Sequence, residues 1–434
     1  MSPTERWYWI ADQLSTLNVS ARVRIEGELS TVALRRALAA LQARHPLLRL
    51  AITASASGTD PRFLPTDNPI PLREVILTQS EDTRWVREVD EQELAVSIDW
   101  GSGPLARAVL ITQPGHIHDL VITVAHCISD GTTLLSLLRQ WVRLAAEPPA
   151  ADQTVASGPV RPAVEDLFPA RYRGGPGGLS DKNAADEEDP GAVQGEVGRL
   201  TADRFVPFHQ RRTRLLHRFL ASDALENLTL ACKREGATVH GVLAAAMVSA
   251  VARDAGTPSP THFTIGSPVS FRDELDPPPS QDEVGPYVSA VHSVVQHRPD
   301  DLWSMARSIT GDIAERRQRG EHFAGASLLT DHGPAGVADS EPFVRFIEEH
   351  GPFNFFISNI GRFDFPDTLG PWQLSGAQFV GGISVVGYFA ASVSTSHGQL
   401  SWNFTYIDEA ISPERAERLA DDSVRIALEA ARLD

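Results

Sequence analysis

Only two cysteines, Cys127 and Cys232, occur in 434 residues. Two thiols give no disulfide framework, which points to a reducing compartment. No apolar run approaches the ~20 residues needed to cross a bilayer. The opening residues, Met-Ser-Pro-Thr-Glu-Arg-Trp, have neither the basic segment nor the apolar core of a secretory signal. These absences predict a cytoplasmic protein without a membrane span. Positive charge is scarce too: 39 Lys and Arg face 56 Asp and Glu, for a formal net charge of −17. That balance argues against nucleic acid and anionic membrane surfaces as partners. His116-Ile-His118 has no third ligand at telling spacing, so no metal site is expected.

What remains is a globular chain, 42% apolar and too long for one typical core. Its first stretch reads as mixed α/β. A strand falls within Ser15 to Glu28 and a helix from Ser30 to Arg44, with Ser30 as its cap. Two strands between Leu105 and His126 meet at Gln113-Pro-Gly-His. Residues 147–200 change to linker composition, with Gly174-Gly-Pro-Gly-Gly178 and Asp186-Glu-Glu-Asp-Pro190. Regular patterning resumes at Leu215. Helices follow from Ser222 and Thr238. Phe379 to Ser396 and Gly398 to Tyr406 read as paired strands, and Ser412-Pro413 starts a last helix. The expected division is 1–150, a crossover at 151–205, and 206–434.

One segment carries chemistry. Asp119-Leu-Val-Ile-Thr-Val-Ala125 is apolar on both faces, as in a buried strand. His126-Cys127-Ile128-Ser129-Asp130-Gly131 follows it, and Leu134, Leu135, Leu138, Trp141 and Val142 then recur at helical spacing. Strand, His-x-x-x-Asp-Gly turn and helix hold an imidazole where the chain leaves a sheet. A His with a pKa near ~6.5 suits general-base work near neutrality. Asp130 is placed to orient the ring or fix the turn, at a helix start that favours a carboxylate. Gly131 suits a tight turn or a backbone amide that must approach something closely. Cys127 is not read as a nucleophile, because adjacent residues on an extended segment point apart.

Further segments occur in order along the chain. These are Leu34-x-x-Ala37-Leu38-x-x-Leu41-x-x-Arg44-His45-Pro46, Thr238-Val-His-Gly-Val-Leu-Ala-Ala-Ala246, Ile265-Gly-Ser-Pro268-Val269-Ser-Phe-Arg272, Val284-Gly285-Pro-Tyr-Val-Ser289 and Phe355-Phe-Ile-Ser358-Asn359-Ile-Gly361. With the His126 motif they resemble the condensation-domain superfamily over roughly residues 5 to 430. The nearest likeness is to its stand-alone polyketide-associated (phthiocerol dimycocerosyl transferase-like) acyltransferases, with the BAHD enzymes more distant. Ala125 stands where many condensation domains have a first histidine, and the BAHD Asp-Phe-Gly-Trp-Gly segment is missing. The first departure weakens a peptide-bond-forming assignment, and the second a plant-type one.

The resemblance implies two chloramphenicol-acetyltransferase-like domains in a pseudo-dimer around an interdomain channel. It implies direct acyl transfer from a thioester, on coenzyme A or a phosphopantetheinyl carrier protein, to a hydroxyl or amine of a small natural-product acceptor. No cofactor stays bound, and the protein is expected to be a monomer in secondary metabolism. His126 is then the general base, and Gly131 offers its amide to the oxyanion or leaves room for the donor. Asp130 is architectural and paired with Arg272, while Ser358 and Asn359 face the channel. A carrier protein is itself acidic, so a basic docking patch is needed. Arg211-Arg212-Thr-Arg214 with His217 and Arg218 is the candidate, with a solvated basic helix start or a structural partner for the many carboxylates as its alternative. The other functional readings are condensation of two carrier-bound substrates and a catalytically idle carrier-binding platform.

Overall fold

The computed structural model describes residues 1–147, 157–158, 161–173, 197–256 and 261–432. Most of the expected crossover lies outside these residues. Strands β1 (Asn18–Glu26), β2 (Leu50–Thr53), β3 (Arg62–Pro65), β4 (Leu72–Ile76), β5 (Ala106–Gln113) and β6 (Ile117–Ala125) come from the first half. The second half supplies β7 (Val197–Gly198), β8 (Thr213–Leu220), β9 (His262–Ser270), β10 (Val288–Gln296) and β11 (Phe355–Arg362). It also supplies β12 (Thr368–Leu369), β13 (Trp372–Gly381), β14 (Phe389–Ser396) and β15 (Gln399–Ile407).

Two mixed sheets result. One runs β12-β13-β1-β6-β5-β4, and the other β10-β9-β11-β14-β15-β8 with β7 against β9. Each sheet supports its own core. β6 is buried along nearly its whole length, as its unbroken apolar run predicts. Leu120, Ile122 and Val124 pack with Leu34, Leu38, Leu41, Leu134, Leu138 and Trp141. These helix residues recur at three- and four-residue steps, so the helices Thr31–Arg44 and Gly131–Ala146 each turn one face to the sheet. Ser30 caps the first, its Oγ accepting from Ala33 N at 3.3 Å. The apolar helix Val239–Asp254 fills the second core with Phe263, Phe355, Phe389, Trp402 and Phe404. No single helix among the described residues is long and apolar enough to cross a membrane.

One strand departs from the sequence reading. Phe379 to Ser396 is not a continuous strand paired with Gly398–Tyr406. It breaks at Gly382–Tyr388, and the two pieces enter different sheets. β14 pairs with β15 as expected, from Phe389↔Tyr406 to Ser396↔Gln399. β13 instead pairs antiparallel with β1, from Val19↔Gly381 to Glu26↔Gln373. Trp372, Leu374, Ala377 and Phe379 thereby join the core of the first half. The segment 206–434 is therefore not self-contained, because twelve of its residues, ten in β13 and two in β12, join the other sheet. Apolar alternation identifies a strand but not the sheet that receives it.

Candidate active site

Between the halves lies a cavity of about 650 Å³. The first half contributes Tyr8, His126, Asp130, Gly131 and Thr132, and the second contributes His240, Ser358, Asn359 and Phe379 among others. Five of the six site residues expected from the sequence therefore share this cavity. Arg272 does not line it.

β6 ends at Ala125, which pairs with Asn18 at the start of β1. The chain then makes a short 3₁₀ turn, His126–Ile128, with His126 N donating to Leu17 O at 3.3 Å. This turn carries the ring off the sheet and into the cavity. Among the described residues, His126 Nδ1 is buried without a hydrogen-bond partner, whereas Nε2 is not among the buried unpaired atoms and the residue lines the cavity. The ring stacks on Tyr8 with centroids 4.1 Å apart and planes 10° from parallel. Tyr8, on the helix Pro3–Leu14, thus fixes the plane of the imidazole. The sequence reading missed it, since only tertiary packing brings residue 8 onto residue 126. Desolvation lowers the His126 pKa below its usual value, and the Asp130 charge opposes that shift only in part. The ring therefore rests neutral, with a lone pair available, at neutral pH.

Asp130 caps the helix Gly131–Ala146. Its Oδ1 accepts from Thr133 N at 2.7 Å, and its Oδ2 accepts from Tyr287 N at 2.8 Å, across the interdomain boundary. The expected Asp130–Arg272 ion pair is not made. Both carboxylate oxygens are taken by backbone donors, and the guanidinium goes elsewhere. Arg272 donates to Thr133 Oγ1 at 2.7 Å, to Ser280 O at 2.7 Å and to Glu283 O at 3.0 Å, and it lies over the Tyr287 ring at 4.3 Å. Thr133 Oγ1 in turn donates to Gly285 O at 2.9 Å. The two residues belong to one clamp joined through Thr133 and Tyr287, which fixes the loop 280–287 against the start of that helix.

Gly131 is required by close packing and does not need a left-handed backbone. A Cβ there would stand 2.7 Å from Phe379 Cε2 and 2.9 Å from Cδ2. The ring that presses on it belongs to β13, the strand that crosses between sheets. The amides of Gly131 and Thr132 open the helix, make no hydrogen bond among the described residues and border the cavity. Ser358 and Asn359 sit on β11, and Asn359 Oδ1 accepts from Gly361 N at 2.8 Å, while its amide NH₂ has no partner among the described residues. Cys127 lies outside the cavity. It faces a small void behind the imidazole, with Asp12 and Trp100, and burial holds its thiol well above the usual range.

Most of the basic run is engaged in pairs within the protein. Arg211 is buried against Glu348 at 2.6 Å, Arg214 pairs with Asp90 at 2.9 Å and Arg218 with Asp421 at 2.7 Å. Burial lowers the His217 pKa, and its Nδ1 pairs with Asn403 Oδ1 at 2.7 Å. Of this run, only the Arg212 side chain is exposed without an ionic partner among the described residues.

Two family models match the chain in tandem. Residues 5–148 match the Condensation domain, and residues 217–401 match the Phthiocerol/phthiodiolone dimycocerosyl transferase C-terminus. Among curated proteins, malpinin synthetase of Mortierella alpina is 29% identical over 149 residues, which is 33% of this chain and 2% of that protein. The chain spans only a small fraction of the length of the curated relatives it matches. Among solved structures, the first condensation domain of the calcium-dependent antibiotic synthetase, in complex with a substrate analogue, superposes with a TM-score of 0.71 at 16% identity. That match covers 99% of this chain and 96% of the other. Polyketide synthase associated protein 5 from Mycobacterium tuberculosis superposes with a TM-score of 0.66 at 16% identity, covering 98% and 97%. At that identity the likeness is one of fold: two chloramphenicol-acetyltransferase-like domains.

Proposed function

The chain belongs to the condensation-domain superfamily, and from that premise we propose that it moves an acyl group from a thioester directly to a hydroxyl or amine, with His126 as the general base. The observation that carries the proposal is the imidazole itself: a neutral ring, held by Tyr8, on a residue that lines a cavity built from both halves.

Each proposed step draws on a group at the cavity wall. The acceptor's O–H or N–H donates to Nε2, which takes the proton as the new bond forms at the thioester carbonyl carbon. The oxygen of the tetrahedral intermediate gains charge beside the unpaired Gly131 and Thr132 amides, where the helix dipole also favours an anion. Collapse breaks the C–S bond, and the imidazolium returns its proton to the departing thiolate. The Asp130 carboxylate lies close enough to favour that transient cation. No acyl-enzyme is needed, and the buried, protonated Cys127 has no part.

Coenzyme A or a carrier protein is the donor under this reading, and a small alcohol or amine is the acceptor. Similarity over 149 residues to malpinin synthetase, by its name a synthetase, favours a second reading, which we take as condensation of two carrier-bound substrates. Incubation with a panel of acyl thioesters, free alcohols and carrier-bound amines, followed by intact-mass detection of products, separates the two. Under either reading His126→Ala loses at least about 10²-fold in turnover. Activity within a few-fold of the parent removes His126 from the chemistry, and turnover restricted to two carrier-bound partners establishes the second reading.

A further inference from the structure

A second imidazole faces the same cavity. His240 lies in the first turn of the helix Val239–Asp254, and its half-buried side chain forms part of the cavity wall. The cavity wall is more apolar than polar, with Val269, Ile313, Leu329 and Phe356, and it also carries Asp273, Glu274 and Arg317. His240 Nε2 lies 3.0 Å from Ser267 Oγ on β9.

Ser267 is fully buried, and His240 is its hydroxyl's sole hydrogen-bond partner among the described residues. A hydroxyl sealed from water loses free energy when its proton has no acceptor. The arrangement that satisfies both groups has Ser267 donating to Nε2. The proton of the neutral ring then sits on Nδ1, the nitrogen with no hydrogen-bond partner among the described residues. Burial pushes the His240 pKa down to about 4, so the ring stays neutral across the physiological range. Close packing fixes its support: a Cβ at Gly266, next to Ser267, would stand 2.5 Å from the Phe353 ring.

Resting on the acyl-transfer reading above, we propose that His240 presents a fixed Nδ1–H donor that binds an acceptor oxygen carried within the acyl chain of the thioester. The substrate class that follows is an oxygenated acyl chain, with a keto, hydroxyl or ether oxygen along an otherwise apolar body. A purely hydrocarbon chain would leave this donor buried and unpaired, at a cost in affinity. Ser267 is a positioning residue, since it acts by setting the tautomer.

The test pairs spectroscopy with kinetics on the full chain. In ¹⁵N-edited NMR at pH 7, His240 is expected as the Nδ1–H tautomer, with no titration between pH 5.5 and 8, and Ser267→Ala is expected to release that preference. Two thioesters of equal chain length, one hydrocarbon and one with a single in-chain keto oxygen walked along the chain, are then compared. At the best oxygen position the parent is expected to favour the keto substrate by about threefold to tenfold in kcat/KM. His240→Ala abolishes that preference. His240→Asn keeps much of it, because the Asn amide nitrogen falls near the place of Nδ1. An Nε2–H tautomer in the parent overturns the proposal, and so does an equal loss for both thioesters in His240→Ala. Binding of the two thioesters to His126→Ala is measured without turnover. A keto preference in binding that persists there supports the His240 assignment even if the general-base reading fails, and its absence counts against it.

Discussion

Replacing Asp130 with Ala tests whether this carboxylate belongs to the architecture or to the chemistry. The residue is 5% exposed, and its two oxygens serve two backbone donors, Thr133 N and Tyr287 N, both on buried residues. Truncation orphans both. Each buried, unpaired N–H costs about 1–3 kcal/mol, and the loss of a helix cap, about 0.5–2 kcal/mol, is the same Thr133 contribution seen another way. The expected loss is therefore about 2–5 kcal/mol. Asp130→Asn retains one acceptor oxygen and turns its NH₂ towards the other donor, so it is expected to lose about 1–3 kcal/mol. Urea unfolding followed by tryptophan fluorescence is the assay, since Trp141 sits on the helix that Asp130 caps and is buried in the same core. The Tyr287 bond spans the two halves, so Asp130→Ala is also expected to weaken their coupling and separate their transitions. A variant that unfolds within about 0.5 kcal/mol of the parent yet fails to turn over refutes this reasoning and returns Asp130 to the reaction.

Gly131→Ala drives a methyl into the Phe379 ring, at an expected cost of about 1–3 kcal/mol, offset by up to about 1 kcal/mol of helix propensity. Adding Phe379→Leu should recover most of that cost, and stabilities that add within about 0.5 kcal/mol in the double-mutant cycle show that the contact does not matter. In the pH dependence of kcat/KM, the limb for His126 is expected below 6.5, because desolvation lowers its pKa and the base must be neutral. A limb centred above 7 contradicts that assignment. Stability follows the same sign. The unfolded chain takes up protons near pH 6.5, while His126, His217 and His240 resist protonation when folded, so unfolding free energy should fall as pH drops from about 6.5. Denaturation midpoints at pH 5 and pH 7 measure it, and equal midpoints contradict it.

The sequence by itself determined what is local. The apolar run 119–125, the Asp130 cap and the three- and four-residue steps of Leu134, Leu138 and Trp141 specify strand, turn and helix. These signals lie within a few residues of one another along the chain. They place His126 at a strand end, and the ordered segments from Leu34 to Gly361 point to the family. Tertiary structure decided everything that depends on residues far apart in the chain meeting in space. The sheet that β13 joins follows from pairing with β1, some 350 residues earlier. The ring on Tyr8, the amide on Asp130 Oδ2 and the hydroxyl on His240 Nε2 come from positions 118, 157 and 27 residues away. Arg272 illustrates the limit. Sequence supplies a guanidinium and a carboxylate, but backbone amides reached Asp130 first, and a hydroxyl and two carbonyls claimed the arginine. Hydrogen-bond partners are chosen by distance and direction after packing, and a linear pattern encodes neither.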